Sequence, residues 1–140
     1  MRRRPVVVAQ GLYLALSGLW PLVHYRSFER VTGPKKDEWL VQTVAGLAVT
    51  AGGALLHAGK SHESLEVART IGIGSALTFG AIDTIYGATG RIRRVYLADA
   101  IVEAFWLAAW ARQRDHASYA HRYPHPQVDT ALLDARNDRA

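Results

Sequence analysis

Three acidic side chains of this sequence lie where an acid needs a partner. Asp83, Asp99 and Glu103 interrupt long apolar runs, whereas the other five carboxylates that precede Ala111 fall in polar segments. In hydrocarbon a carboxylate costs at least roughly 3 kcal/mol unless it finds a proton, a cation or a watery cavity. These are therefore the groups through which the chain would hold an ion, pass protons or act as a general acid or base. Asp99 and Glu103 are four residues apart, which puts both on one helical face.

Their depth follows from the runs that carry them. Asp83 lies five residues before Ala88 and Asp99 four after Val95, so both sit roughly 6 to 8 Å inside the same end of their segments. Glu103, eight residues in, is about 12 Å deep and near the middle. In an up-and-down arrangement the first and third connections share that end, so His24, Arg26 and Gln42 reach the region and Arg91, Arg93 and Arg94 offer cations. Asp83 and Asp99 are expected to pair with loop arginines and to fix a helix hairpin. Glu103, deeper than a basic side chain easily follows, is expected to hold a proton, to hydrogen-bond Gln42 or a tyrosine, or to face a cavity. His57 falls at the opposite end from Gln42 and reads as an interfacial histidine.

The elements that must position these groups are defined by missing charge. Of 140 residues, 17 are Lys or Arg and 12 are Asp or Glu, a net charge of +5. That length suits one domain. Four stretches, 5–23, 39–58, 70–88 and 95–111, contain no Lys or Arg. At about 1.5 Å per residue each spans roughly 26 to 30 Å, the thickness of a bilayer's hydrocarbon. All twelve basic residues of the first 111 fall before or between these stretches, whereas a soluble amphipathic helix carries Lys and Arg along its outer face. The fold expected is all-α, a bundle of four transmembrane helices running up-down-up-down. A water-soluble four-helix bundle is the competing reading, favoured by the mean hydropathy of −0.03. That average is pulled down by the loops and by residues 112–140.

Small residues recur every fourth position at Gly72, Ala76, Gly80, Thr84 and Ala88, and again at Ala100, Ala104 and Ala108. In water such glycines weaken helices, but in lipid they let backbones approach closely. Trp20, Trp39, Tyr86, Tyr96 and Trp110 fall near segment ends, where aromatic rings prefer the headgroup layer. The opening Met-Arg-Arg-Arg and apolar run raise the question of a cleaved signal, for which Ala15-Leu16-Ser17 would be the processing site. The run continues through Val23, so an uncleaved first helix is expected.

His24 to Glu38 reads as a basic loop with a turn at Thr32-Gly33-Pro34, with Asp37 placed to cap the next helix. Lys and Arg counts on the two sides are nearly equal, and the first helix, which usually dominates, puts both termini in the cytoplasm. Residues 112–140 read as a polar, mobile tail. His116, His121 and His125 within it share no helical face, so no metal site is expected there. Cysteine is absent, which removes disulfide frameworks, thiol nucleophiles, Cys-bound zinc and iron–sulfur clusters together.

Familiar motifs fail on inspection. Ala54 to Ser61 (ALLHAGKS) approaches a phosphate-binding loop, but its first position is Ala54 rather than glycine and no buried strand precedes it. His62-Glu63 lacks a second histidine four residues after the first, so a zinc-protease helix is absent. No cofactor motif and no nucleic-acid motif is present, and the basic charge suits membrane flanks and anionic headgroups.

The stretch Gly11 to Val44 (GLYLALSGLWPLVHYRSFERVTGPKKDEWLVQTV) and Arg93 to Glu103 (RRVYLADAIVE) resemble a group of small uncharacterised bacterial inner-membrane proteins with four predicted helices. The resemblance covers about residues 10 to 111, implies a bacterial inner-membrane location and transfers no functional residue. The function expected is that of a non-enzymatic membrane protein binding lipids, a second copy or a partner membrane protein. Two alternatives are a proton- or ion-coupled carrier using Asp83, Asp99 and Glu103, and a membrane enzyme on a lipid or isoprenoid substrate with Glu103 as acid or base.

Overall fold

A computed structural model describes the backbone of residues 5–58 and 62–122, and the side chains of these apart from 62, 63 and 114–122. Every regular element among the described residues is helical: α1 Pro5–Val23, α2 Tyr25–Thr32, α3 Glu38–His57, α4 His62–Ala88 and α5 Val95–Arg122. The first apolar run matches α1. The other elements differ from the runs in ways that physics explains.

α2 occupies what the charge pattern presented as loop. Its eight residues are held by caps: His24 Nδ1 accepts from Ser27 N at 3.2 Å, and Gly33, at φ 88°, closes the other end by donating its N–H to Glu29 O at 2.8 Å. That positive φ favours glycine. Asp37 stands at the N-cap of α3 but makes no side-chain capping bond. α4 begins eight residues before the charge-free run and α5 continues beyond it, because a charged residue marks water rather than the end of a helix. The tail histidine His125 lies outside the described residues, as do the side chains of His116 and His121.

Two antiparallel hairpins form the bundle, α1 with α3 and α4 with α5. On α1 and α3 the contact is glycine against backbone. A Cβ added at Gly52 would lie 2.6 Å from both Ala15 N and Gly11 O, and one at Gly18 would lie 2.5 Å from Ala45 O. On α4 the small residues Gly72, Ala76 and Gly80 face α5, as their spacing predicts. A Cβ at Gly80 would meet Glu103 Cβ at 3.2 Å, and Ala76 is fully buried. The stripe then drifts, since the 3.6-residue turn carries Asp83 and Gly87 inward while Thr84 and Ala88 are exposed. On α5 the expected small-residue face is overturned. Ala104 and Ala108 point outward, and the buried positions are Glu103, Trp106 and Trp110.

α1 joins the hairpins. Val7, Leu14, Leu55, Ala68 and Trp110 make one buried cluster contributed by all four long helices. Trp110 is therefore a core residue rather than an interfacial one. Its Nε1 donates to Gln10 Oε1 at 2.7 Å, and Gln10 Nε2 donates to Gly72 O at 2.8 Å. Gly72 is required for this join, because a Cβ there would sit 2.5 Å from Gln10 Oε1.

Among the described residues three helical stretches, α1, α3 and Ser64–Ala88 of α4, are long and apolar enough to cross a membrane. Of the four spans expected, three meet this measure. α5, which carries Asp99, Glu103 and Arg112, is not among them.

Candidate functional site

The carboxyl cluster forms where α1 meets the α4–α5 hairpin. Asp99, Glu103, Trp106 and Trp110 fall at spacings of four, three and four, the inner stripe of α5. On α1, Gln10 and Tyr13 are three apart and face that stripe, while Gly11 and Gly18 face α3. Tyr13 is the centre of the site. Its hydroxyl donates to Asp99 Oδ1 and lies 3.1 Å from Glu103 Oε1. Trp106 supports the phenol from the side, with ring centroids 5.7 Å apart.

Asp83 approaches from α4 and lies against the Asp99 carboxyl. Asp83 is 4% exposed and Glu103 1%. One oxygen of each, Asp83 Oδ2 and Glu103 Oε2, is buried without a hydrogen-bond partner. Two carboxyls, Asp99 and Glu103, thus share one phenolic proton donor with Asp83 packed beside them, and none of the three is in an ion pair among the described residues. No group of His, Asp or Glu among the described residues is arranged to hold a metal ion.

Of the six site residues read from the sequence, Asp83, Asp99 and Glu103 come together, and His24, Arg26 and Gln42 do not join them. Gln42 is exposed and donates to Glu38 Oε1 at 3.0 Å, one turn back on its own helix. His24 caps α2, and Arg26 is exposed on that helix. The expected pairing of Asp83 and Asp99 with loop arginines is likewise corrected, since Arg93 Nη1 donates to Arg30 O at 3.0 Å. Spacing along the chain does not decide partners; direction around the helix axis does. The acids turn inward toward α1, while Arg91, Arg93 and Arg94 stay exposed at the end of the bundle. His57 Nδ1 bonds its own helix at Gly53 O, 2.9 Å away.

Tyr13 was legible only as the unnamed tyrosine expected beside Glu103. Its midway position in the first run matches the depth of Glu103, and that match is the signal that singles it out. Gln10, one turn before, is an amide in an apolar run, the same kind of signal as the acids.

No family model, curated protein or solved structure matches this chain.

Proposed function

We propose that the chain is a multi-pass membrane protein in which α1, α3, α4 and α5 all cross the bilayer up-down-up-down, and that it binds membrane lipids or a partner membrane protein without chemistry of its own. The observation that carries this reading is inverted polarity. Gln10, Asp83 and Glu103 are buried, while Leu16, Leu47, Leu77, Ile101 and Phe105 are exposed. A soluble protein buries such residues in the opposite sense, and a bilayer makes the arrangement favourable. α5 belongs with the spans because its outer face is as apolar as the others: Ile101 is 72% exposed and Phe105 60%. Its acids are turned inward.

Glu103 is closed in by Tyr13 and Gly80, the geometry of a tie between helices rather than of a group awaiting substrate. The resemblance to bacterial inner-membrane proteins favours that membrane, and the basic residues Arg2, Arg3 and Arg4 before α1 favour cytoplasmic termini. After alkaline carbonate and high-salt washing the protein should remain in the membrane pellet. Recovery in the soluble fraction without detergent would overturn the reading.

A second reading, a proton-coupled carrier, is favoured by the unpartnered Asp83 Oδ2 and Glu103 Oε2. Clustered carboxyls with no cation beside them relieve their repulsion by sharing protons.

A further inference from the structure

One end of the bundle gathers cations from two connections far apart in sequence. α2 contributes Arg26 and Arg30, the segment after it Lys35 and Lys36, and the α4–α5 turn Arg91, Arg93 and Arg94. Arg93 joins them: Nη1 holds Arg30 O at 3.0 Å, and its side chain lies so close over Gly33 that an added Cβ would be 3.1 Å from Nε. Lys35 completes the join, donating to Thr32 O at 2.9 Å with its Nζ 4.9 Å from the centroid of the Tyr96 ring. Two connections make one surface.

Three acids share this end, Glu29, Asp37 and Glu38, against seven basic residues, so it keeps a net positive charge. Glu29 Oε1 accepts from Lys35 N at 3.0 Å and Glu38 Oε1 from Gln42 Nε2 at 3.0 Å, both uncharged donors. Arg26, Arg30, Lys36, Arg91 and Arg94 are exposed, and their side chains make no hydrogen bond or ion pair among the described residues. Directly beside them the apolar belt begins, with Val23 78% and Trp39 67% exposed. Trp20 is tied into the same end by Nε1 donating to Ser27 Oγ at 2.7 Å.

We infer that this end is a docking surface for the phosphate headgroups of anionic phospholipids. The inference rests on the membrane-spanning reading above and adds the class of ligand and its place. Guanidinium forks match phosphate oxygens bidentately, and tryptophans settle at headgroup depth. A lipid fits better than a soluble anion, because a headgroup held by the arginines leaves its acyl chains against Trp20, Val23 and Trp39. Both halves of the ligand are then satisfied.

The test uses the full chain, extracted from membranes and incubated with equal amounts of phosphatidylglycerol and phosphatidylcholine, with retained lipid counted by native mass spectrometry. Phosphatidylglycerol should be retained over phosphatidylcholine by at least about tenfold, since each basic residue near the surface attracts an anionic lipid appreciably. Neutralising Arg26, Arg30, Arg91 and Arg94 to glutamine should remove most of that preference, and the pair Arg69→Gln and Arg112→Gln should leave it. Equal retention of the two lipids by the unmodified chain overturns the inference, as does an equal loss in the control pair. If the fourfold variant loses its helical circular dichroism, salt titration of the unmodified chain decides, and a preference insensitive to salt overturns the inference. Release by carbonate would instead defeat the membrane reading itself, which a chain that stays embedded without headgroup preference does not.

Discussion

Gly52→Ala should lower the melting temperature of the detergent-solubilised protein sharply, while Gly53→Ala should leave it unchanged or raise it slightly. The two glycines are neighbours on α3 and differ only in direction. A Cβ at Gly52 meets Ala15 N and Gly11 O at 2.6 Å and Ala15 Cα at 3.0 Å, whereas nothing lies within 4 Å of a Cβ at Gly53. Backbone atoms cannot swing away as the end of a side chain can, so α1 and α3 must separate along their length. Overpacking of this kind costs about 3 kcal/mol. The gain at Gly53 is at most about 1 kcal/mol from helix propensity. Equal melting temperatures for the two variants would show that α1 and α3 do not pack on these glycines.

Tyr13→Phe should have the next largest effect. The hydroxyl is the one donor to Asp99 and Glu103 among the described residues, and its loss leaves Glu103 buried with both oxygens unpartnered. Leaving a buried polar group unsatisfied costs about 1 to 3 kcal/mol. Asp99→Leu added to Tyr13→Phe should therefore be less damaging than the sum of the two single changes, a coupling that a double-mutant cycle measures. Glu103→Gln should fold normally, because the amide oxygen still accepts from Tyr13 and the side chain keeps its shape. Additive losses at Tyr13 and Asp99, or an unfolded Glu103→Gln beside a silent Tyr13→Phe, would remove Tyr13 from the centre of the cluster. A Glu103→Gln protein that folds but no longer moves protons in vesicles would favour the carrier over the structural tie.

What could be read from the residues depended on how unusual each one was in its surroundings. Missing Lys and Arg outlined α1 and α3 closely, because a bilayer-length run without basic residues is rare outside a membrane span. The same criterion shortened α4 and α5, since Glu66 and Arg69 sit in a helix as readily as in a loop. α2 escaped notice because eight charged and mixed residues between two apolar runs look like any connection, and its caps, His24 and Gly33, are visible only once the backbone is seen.

Within the site the acids stood out as carboxyls in apolar runs, and the four-residue spacing put Asp99 and Glu103 on one face. Their partners could not be obtained that way. Gln42, His24 and Arg26 lie at the right end of the bundle but turn toward solvent or their own helices, while Tyr13 and Gln10 belong to a helix whose orientation about its axis is set by Gly11 and Gly18 against α3. Trp110 shows the same limit. Its place near the end of an apolar run suggested the headgroup layer, and its bond to Gln10 puts it in the core.

The most direct test of the four-span bundle is the environment of α5. Because the chain has no cysteine, Ile101→Cys and Arg91→Cys each provide a single reactive thiol without further changes. In membrane fragments accessible from both sides, a water-soluble maleimide should label Arg91→Cys readily and leave Ile101→Cys unreacted until the protein is unfolded in a denaturing detergent. Labelling of Ile101→Cys as fast as Arg91→Cys before unfolding would mean that the exposed face of α5 meets water, and the four-span bundle would be wrong.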